Sequence, residues 1–261
     1  MNVKYINVWK YNVKDIFKEI NNLCKDTCLI SLDTEFPGIV LKIKSFKYSS
    51  ENASYHMLRK NVNILKTIQI GLTFDKNCNF KFSTTFQFNF VYDFENNCFA
   101  QDSIDLLSKS KLLFETNNKI GINLDLFKEF LTSSSLLCNK KLKWITFHSG
   151  YDFGYLINLI TNKELPLSKK DFIEHLNFYF PCFFDLKHLG YFSSNFYGSL
   201  DKIAEKFNIN RIGKSHQAGS DSLITLNIYK IISNDIKPRE YFRKFKCVLY
   251  NSPSVVHNYY L

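Results

Sequence analysis

Five side chains in this sequence have the types and spacing for phosphoryl chemistry. Asp33 and Glu35 lie in ISLDTEFPG, Asp152 in FHSGYDFGYL, and His216 with Asp221 in HQAGSD. Hydrolysis of a phosphodiester requires an activated water, stabilisation of the leaving oxygen and neutralisation of charge at phosphorus. Two divalent cations about 4 Å apart supply all three. Hard ions such as Mg2+ take carboxylate oxygens as ligands, so a few Asp and Glu side chains suffice to hold both. A histidine beside them titrates near neutral pH and can accept the proton of the attacking water.

The surrounding elements decide whether these residues can meet. CLISLDTEF reads as a buried strand, an apolar run that turns polar at Asp33 and stops at Pro37 and Gly38. Residues two apart on a strand point to one face, so Asp33 and Glu35 share theirs. An Asp at that strand's end is placed to bridge both ions, with Glu35 on one of them. KWITFHS reads as another strand and GYDFGYLINLIT as the helix after it, with Leu156, Ile157 and Ile160 as its apolar stripe. Asp152 then sits at a strand–helix junction. His216 and Asp221 are five apart, about 140° around an ideal helix, so they do not share a helical face. Gly219 between them suits a loop carrying the histidine and a helix that opens near the aspartate.

The remaining pattern supplies a scaffold. Residues 10–24 place Val13, Ile16, Phe17, Ile20 and Leu23 at helical spacing. ILKTIQIGLTF and TTFQFNFVY alternate and are rich in β-branched and aromatic residues, which predicts two strands joined as a hairpin around residues 75–81. Helices are predicted over QDSIDLLSKS, LDLFKEFLTSS, SKKDFIEHLNFYF up to Pro181, LDKIAEKFNI and DSLITLNIYKIISN. Strands come early and helices dominate late, which fits one α/β domain with a central mixed sheet surrounded by helices. No repeat, Gly/Ser linker or low-complexity block divides residues 1–261, so the expectation is a single domain with its core over about 5–250 and a short C-terminal tail.

Taken singly, the signals are weak. With 24 acidic residues in 261, an acid-x-acid triplet arises about twice by chance. An Asp opening a helix is ordinarily a cap, and an isolated histidine is ordinarily a surface or core residue. The order is what carries the reading: an acid pair on the first buried strand, an Asp at a later junction, and a His-x4-Asp before a late helix.

Bulk properties narrow the class. The net charge of +10 favours a nucleic-acid partner, although abundant Lys, Asn, Ile, Phe and Tyr also fit an AT-rich coding bias. Basic clusters occur at Lys42, Lys44 and Lys47, at Lys140, Lys141 and Lys143, and within residues 237–246. No apolar run approaches a membrane span; the most apolar stretch, FYFPCFF, is broken by Pro181. MNVKYINVWKYNVKDIF has neither the apolar core nor the cleavage site of a secretory signal. Seven cysteines without a metal-finger rhythm read as reduced, intracellular thiols; Cys24 and Cys28 have a helical spacing but no second pair to complete a zinc site.

With these motifs in place, the chain resembles the DEDDh group of exonucleases, whose signature is Asp-x-Glu, then Tyr-Asp, then His-x4-Asp. Within that group it resembles the Caf/Pop deadenylases, catalytic subunits of the Ccr–Not complex. The likeness runs from NVWKYNV to about residue 250 through LRKNVNILKTIQIGLTF, FQFNF, AQDSIDLL, WITFHSGYDFGYL and RIGKSHQAGSDSL. It implies a ribonuclease H-like fold and a 3′-to-5′ exoribonuclease that shortens mRNA poly(A) tails and releases AMP with two divalent ions, Mg2+ or Mn2+. Asp33, Glu35 and Asp221 would then hold the ion at the attacking water. Asp33 and Asp152 would hold the ion at the leaving oxygen, and His216 would be the general base. Phe36 and His148 would contact the terminal nucleotide, although simple core packing suits Phe36 equally. The implied partners are the Not scaffold, a second deadenylase and antiproliferative adaptors; the implied location is cytoplasm and nucleus. Tyr197, Lys111 and Phe86 depart from the family pattern, and the first bears on contacts along the RNA channel. A broader exonuclease acting on RNA or DNA ends, and a non-catalytic scaffold retaining the fold, are the alternatives.

Overall fold

The computed structural model describes residues 2–42, 50–76, 82–189, 198–235 and 245–250. Lys44, Lys47, Tyr197, most of the 237–246 cluster and the tip of the expected hairpin lie outside them. Among the described residues, six strands form one sheet in the order β1-β4-β3-β2-β5-β6. They span β1 (Asn2–Val8), β2 (Thr27–Glu35), β3 (Gln69–Lys76), β4 (Phe82–Asn89), β5 (Lys143–Thr146) and β6 (Phe183–Asp185). β2, β3 and β4 are antiparallel neighbours, as the paired alternating runs predict. β1 joins β4 in parallel, and β5 and β6 extend the other side in parallel with β2. The sheet is therefore mixed, with helices on both faces.

Those helices are α1 (Val13–Asp26), α2 (Ser50–Ile64), α3 (Gln101–Lys109), α4 (Phe114–Ile120), α5 (Leu124–Thr132), α6 (Gly150–Thr161), α7 (Lys169–Tyr179), α8 (Leu186–Leu189), α9 (Leu200–Lys206) and α10 (Ala218–Asp235). Polar residues set several of their starts. Asn123 caps α5 by accepting from the Asp125 N–H at 2.7 Å, and Ser168 caps α7 by accepting from Asp171 at 3.1 Å. None of the described helices is long and apolar enough to cross a membrane.

One face of the sheet is apolar. Ile30, Leu32, Ile70, Leu72, Phe86 and Phe88 meet Phe17 of α1, Phe127 of α5 and Phe153 of α6 in one buried cluster. The ring of Phe127 is edge-on to both Phe88 and Phe90, with centroids 5.0 Å apart in each pair. Phe86 is fully buried, edge-on to Phe74.

The opposite face carries α10, and near the strand ends it is lined by small and polar groups. Thr73 and Thr85 share a hydrogen bond of 2.9 Å, Thr73 meets the Ser222 hydroxyl at 2.8 Å, and Ser31 Oγ donates to the Ser222 carbonyl at 2.7 Å. Further along, an apolar cluster resumes between α10, α9 and strands β2, β5 and β6.

No element is marked at α2, α4 or β6 by the sequence reading, and three further features depart from it. β1 has only one buried residue, Val8, and an irregular polar pattern, so no alternation marked it as a strand. The run ILKTIQIGLTF is split: Ile64 ends α2, and β3 begins at Gln69. Cys28 is disulfide-bonded, against the expectation of wholly reduced thiols, whereas Cys24, Cys98, Cys138, Cys182 and Cys247 are free.

Candidate metal centre and active site

Asp33 and Glu35 leave the sheet at the C-terminal end of β2, opposite Gly71 and Gln69 of β3. Both are half-buried and share the face on which α10 lies. Thr34, between them, turns to the other face and donates its hydroxyl to Asp152 Oδ1 at 2.7 Å. Asp152 is buried in the first turn of α6, directly after β5.

The β5–α6 turn is fixed from behind by Asp185, a residue that the motifs did not flag. Its carboxylate accepts from the backbone N–H of His148 at 2.7 Å and of Ser149 at 3.2 Å, and also from Lys187 and Tyr250. His148 adopts a left-handed φ of 61° there. A buried carboxylate held by several backbone donors explains how a non-glycine residue is kept in that conformation. The only sequence signal was an acid ending the apolar run FFD.

Asp221 lies inside the first turn of α10, which opens at Ala218, three residues before the acid. The helix end presses directly onto the sheet. A Cβ at Gly71 would overlap the Ala218 carbonyl, and one at Gly219 would come within 2.9 Å of the Tyr5 ring at Cζ. Helix N-terminal N–H groups lack intrahelical acceptors, and here two strands supply them. Ala218 N–H donates to Gln69 Oε1 at 3.2 Å and Gly219 N–H to Gln87 Oε1 at 3.1 Å. Tyr5 of β1 donates to the same Gln87 oxygen at 2.6 Å, and Gln69 donates to Asn89 at 2.8 Å. These glutamines appeared in QIG and FQFNF only as polar members of an alternation.

His216 precedes the helix, as expected of a loop residue, with a left-handed φ of 58°. Its backbone N–H donates to Asp221 Oδ2 at 3.1 Å. Glu35, His216 and Asp221 each offer a ligand atom, all within 4.8 Å of one another. Asp33 and Asp152 join them electrostatically. Burial, and then the charges of Asp221, Asp152 and Glu35, push the Asp33 carboxyl well above its usual range. Glu35 is raised by burial and by Asp221 and Asp152. Asp152 is pushed up to about 7, chiefly by burial and against the Thr34 hydrogen bond. Burial also raises Asp221, opposed by Arg211.

Carboxylates that raise one another form a site short of positive charge. Hard oxygen donors with a single imidazole suit Mg2+ or Mn2+, so the residues present fit divalent ions. The two further candidates fall outside the tight group. Phe36 is half-buried, stacks on Tyr151 with centroids 5.1 Å apart and tilts against Tyr155 at 5.1 Å. His148 is exposed, with its ring edge-on to Tyr250 at 4.8 Å.

The sheet order and its flanking helices are those of a ribonuclease H-like architecture, with acidic side chains converging at one end. Known proteins agree. The model of the CAF1 family ribonucleases matches residues 8–131, which include Asp33 and Glu35. A probable CCR4-associated factor 1 homolog 10 of Arabidopsis thaliana is 41% identical over 251 residues, covering 93% of this chain and 90% of that protein. The poly(A) ribonuclease pop2 of Schizosaccharomyces pombe is 39% identical over 85% of this chain and 67% of its own length. Among solved structures, S. pombe Pop2p with Mg2+ and Mn2+ bound superposes with a TM-score of 0.87 at 35% identity, over 96% of this chain and 100% of that one. Yeast CAF1 crystallised with the NOT1 MIF4G domain gives 0.77 at 28% identity, over 95% and 96%. The chain belongs to the CAF1 ribonuclease family.

Proposed function

We propose that this protein is a 3′-to-5′ poly(A)-specific exoribonuclease, one domain over residues 1–261, that shortens mRNA tails and releases AMP with two divalent ions. The observation that carries the reading is the convergence of Glu35, His216 and Asp221 within 4.8 Å, with Asp33 and Asp152 electrostatically linked to them. Pop2, named a poly(A) ribonuclease, supports the substrate, and the Mg2+- and Mn2+-bound Pop2p structure supports the ions. The CAF1 structure with NOT1 supports docking on a Not-type scaffold; a second deadenylase, antiproliferative adaptors and a place in cytoplasm and nucleus are parts of the proposal that rest on the resemblance alone.

In this mechanism Asp33, Glu35, Asp152 and Asp221 hold the ions. When bound, the ions neutralise charge at the phosphate and lower the pKa of water. His216 accepts the proton of the attacking water, and its loop is oriented by the backbone bond to Asp221 Oδ2. Thr34 aims the Asp152 carboxylate.

The test is purified protein with end-labelled RNA ending in adenosines, beside uridine-tailed RNA and single-stranded DNA. Stepwise shortening of the adenosine tail alone, abolished by EDTA, is the expected result. Equal shortening of all three would replace it with the broader exonuclease. Intact RNA after prolonged incubation with Mn2+ would leave the scaffold.

A further inference from the structure

Arg211 is joined to the candidate centre on three sides. One guanidinium nitrogen pairs with Asp221 Oδ1 and donates to Ser220 Oγ at 2.8 Å, and the other pairs with Asp201. Asp201 in turn accepts from Ser215 Oγ at 2.9 Å, next to His216. The guanidinium is largely withdrawn from water, its side chain 19% exposed beside an Asp221 side chain at 10%. A planar fork held by two carboxylates and a hydroxyl has a fixed orientation. Its charge opposes the carboxylate repulsion at Asp33 and Glu35 as well as at Asp221.

We propose that Arg211 is the built-in counter-cation of this centre and sets its affinity for divalent ions. The inference rests on the metal-dependent reading above and deepens it. The guanidinium and an ion draw on the same carboxylate, Asp221, and two positive charges a few ångströms apart repel. Arg211 therefore steadies the acidic cluster and at the same time weakens its hold on a divalent ion. Asp201 and Ser220 keep the fork anchored, so part of its charge is directed away from Asp221.

The experiment is a Mn2+ titration by calorimetry on the full chain without RNA, with melting followed in EDTA, for wild type, Arg211→Gln, Arg211→Lys and Asp201→Asn. Arg211→Gln should melt below wild type in EDTA yet bind Mn2+ about tenfold more tightly, because the repulsion is gone. Arg211→Lys keeps the charge and should stay within about threefold of wild-type affinity. Asp201→Asn leaves Arg211 in place with Asp221 as its one remaining carboxylate partner, and should weaken Mn2+ binding about threefold. This last variant keeps the test open if Arg211→Gln does not fold. Equal or weaker binding by Arg211→Gln, or unchanged or tighter binding by Asp201→Asn, overturns the proposal. A wild-type protein that binds no Mn2+ overturns the metal-dependent reading itself, and this inference with it.

Discussion

The two faces of the sheet are built by different rules. On one, Phe17, Phe86, Phe88 and Phe127 pack as a buried aromatic cluster with α1 and α5. On the other, near the strand ends, Gly71, Gln69, Gln87 and the Thr73–Thr85–Ser222 hydroxyls seat the start of α10. Apolar packing is non-directional and tolerates small shifts, whereas a hydrogen-bonded contact fixes position and fails when geometry changes. The first face supplies stability. The second supplies the placement of Asp221 and His216 against Asp33 and Glu35, so Gly71, Gln69, Gln87 and the three hydroxyls belong to the candidate site although none of them is an acid.

The largest effect is expected on the apolar face. Phe88→Ala should lose about 3–5 kcal/mol of stability through the lost contacts and the cavity left behind. At a temperature where it remains folded, its turnover per molecule should stay near wild type, as read by denaturant unfolding beside a tail-shortening assay. Gly71→Ala should reverse the pattern. The added methyl must displace the Ala218 carbonyl and with it the first turn of α10. A shift of about 1 Å in a catalytic group costs on the order of a hundredfold in rate. Comparable loss of turnover in both variants would erase the distinction between the faces.

A smaller effect is expected at Thr34, a polar residue on the apolar side whose hydroxyl holds Asp152. Thr34→Val should cost about 1 kcal/mol of stability. Asp152 also imposes a pH dependence. Its folded-state pKa of about 7 lies above the ordinary carboxylate range, so between the two the folded protein keeps a proton that the unfolded chain has released. Its contribution to stability in EDTA is thus full at acid pH and declines as pH rises toward 7. Because the Thr34 bond favours the carboxylate form, Thr34→Val should extend that decline to higher pH. A series of melting temperatures in EDTA across this range checks both the slope and its displacement; a flat profile would contradict the assigned environment of Asp152.

The acids and the histidine were legible because spacing constrains them. Asp33 and Glu35 had to share a strand face, and His216 with Asp221 could not share a helical one. The hairpin of β3 and β4 followed from alternation, which reports one buried face. That signal is silent about the second face. Gln69 and Gln87 look like solvent-facing residues in a period-two pattern, yet they are buried under α10. Arg211 and Asp185 were invisible for a different reason. The carboxylates that pair with Arg211 and the His148 and Ser149 amides that hold Asp185 lie ten or more positions away, and pairing across a loop or a turn leaves no periodicity in the sequence. β1 was missed because an edge strand needs no apolar alternation when a neighbour supplies its hydrogen bonds.

The most direct test of the whole account is Asp33→Ala, assayed for shortening of adenosine-tailed RNA in Mn2+ and for melting in EDTA. Asp33 carries the combined repulsion of three neighbouring carboxylates. Its removal should abolish shortening while raising the melting temperature in EDTA above that of wild type. A variant that still shortens the tail at the wild-type rate would contradict the assignment of this cluster as the catalytic centre.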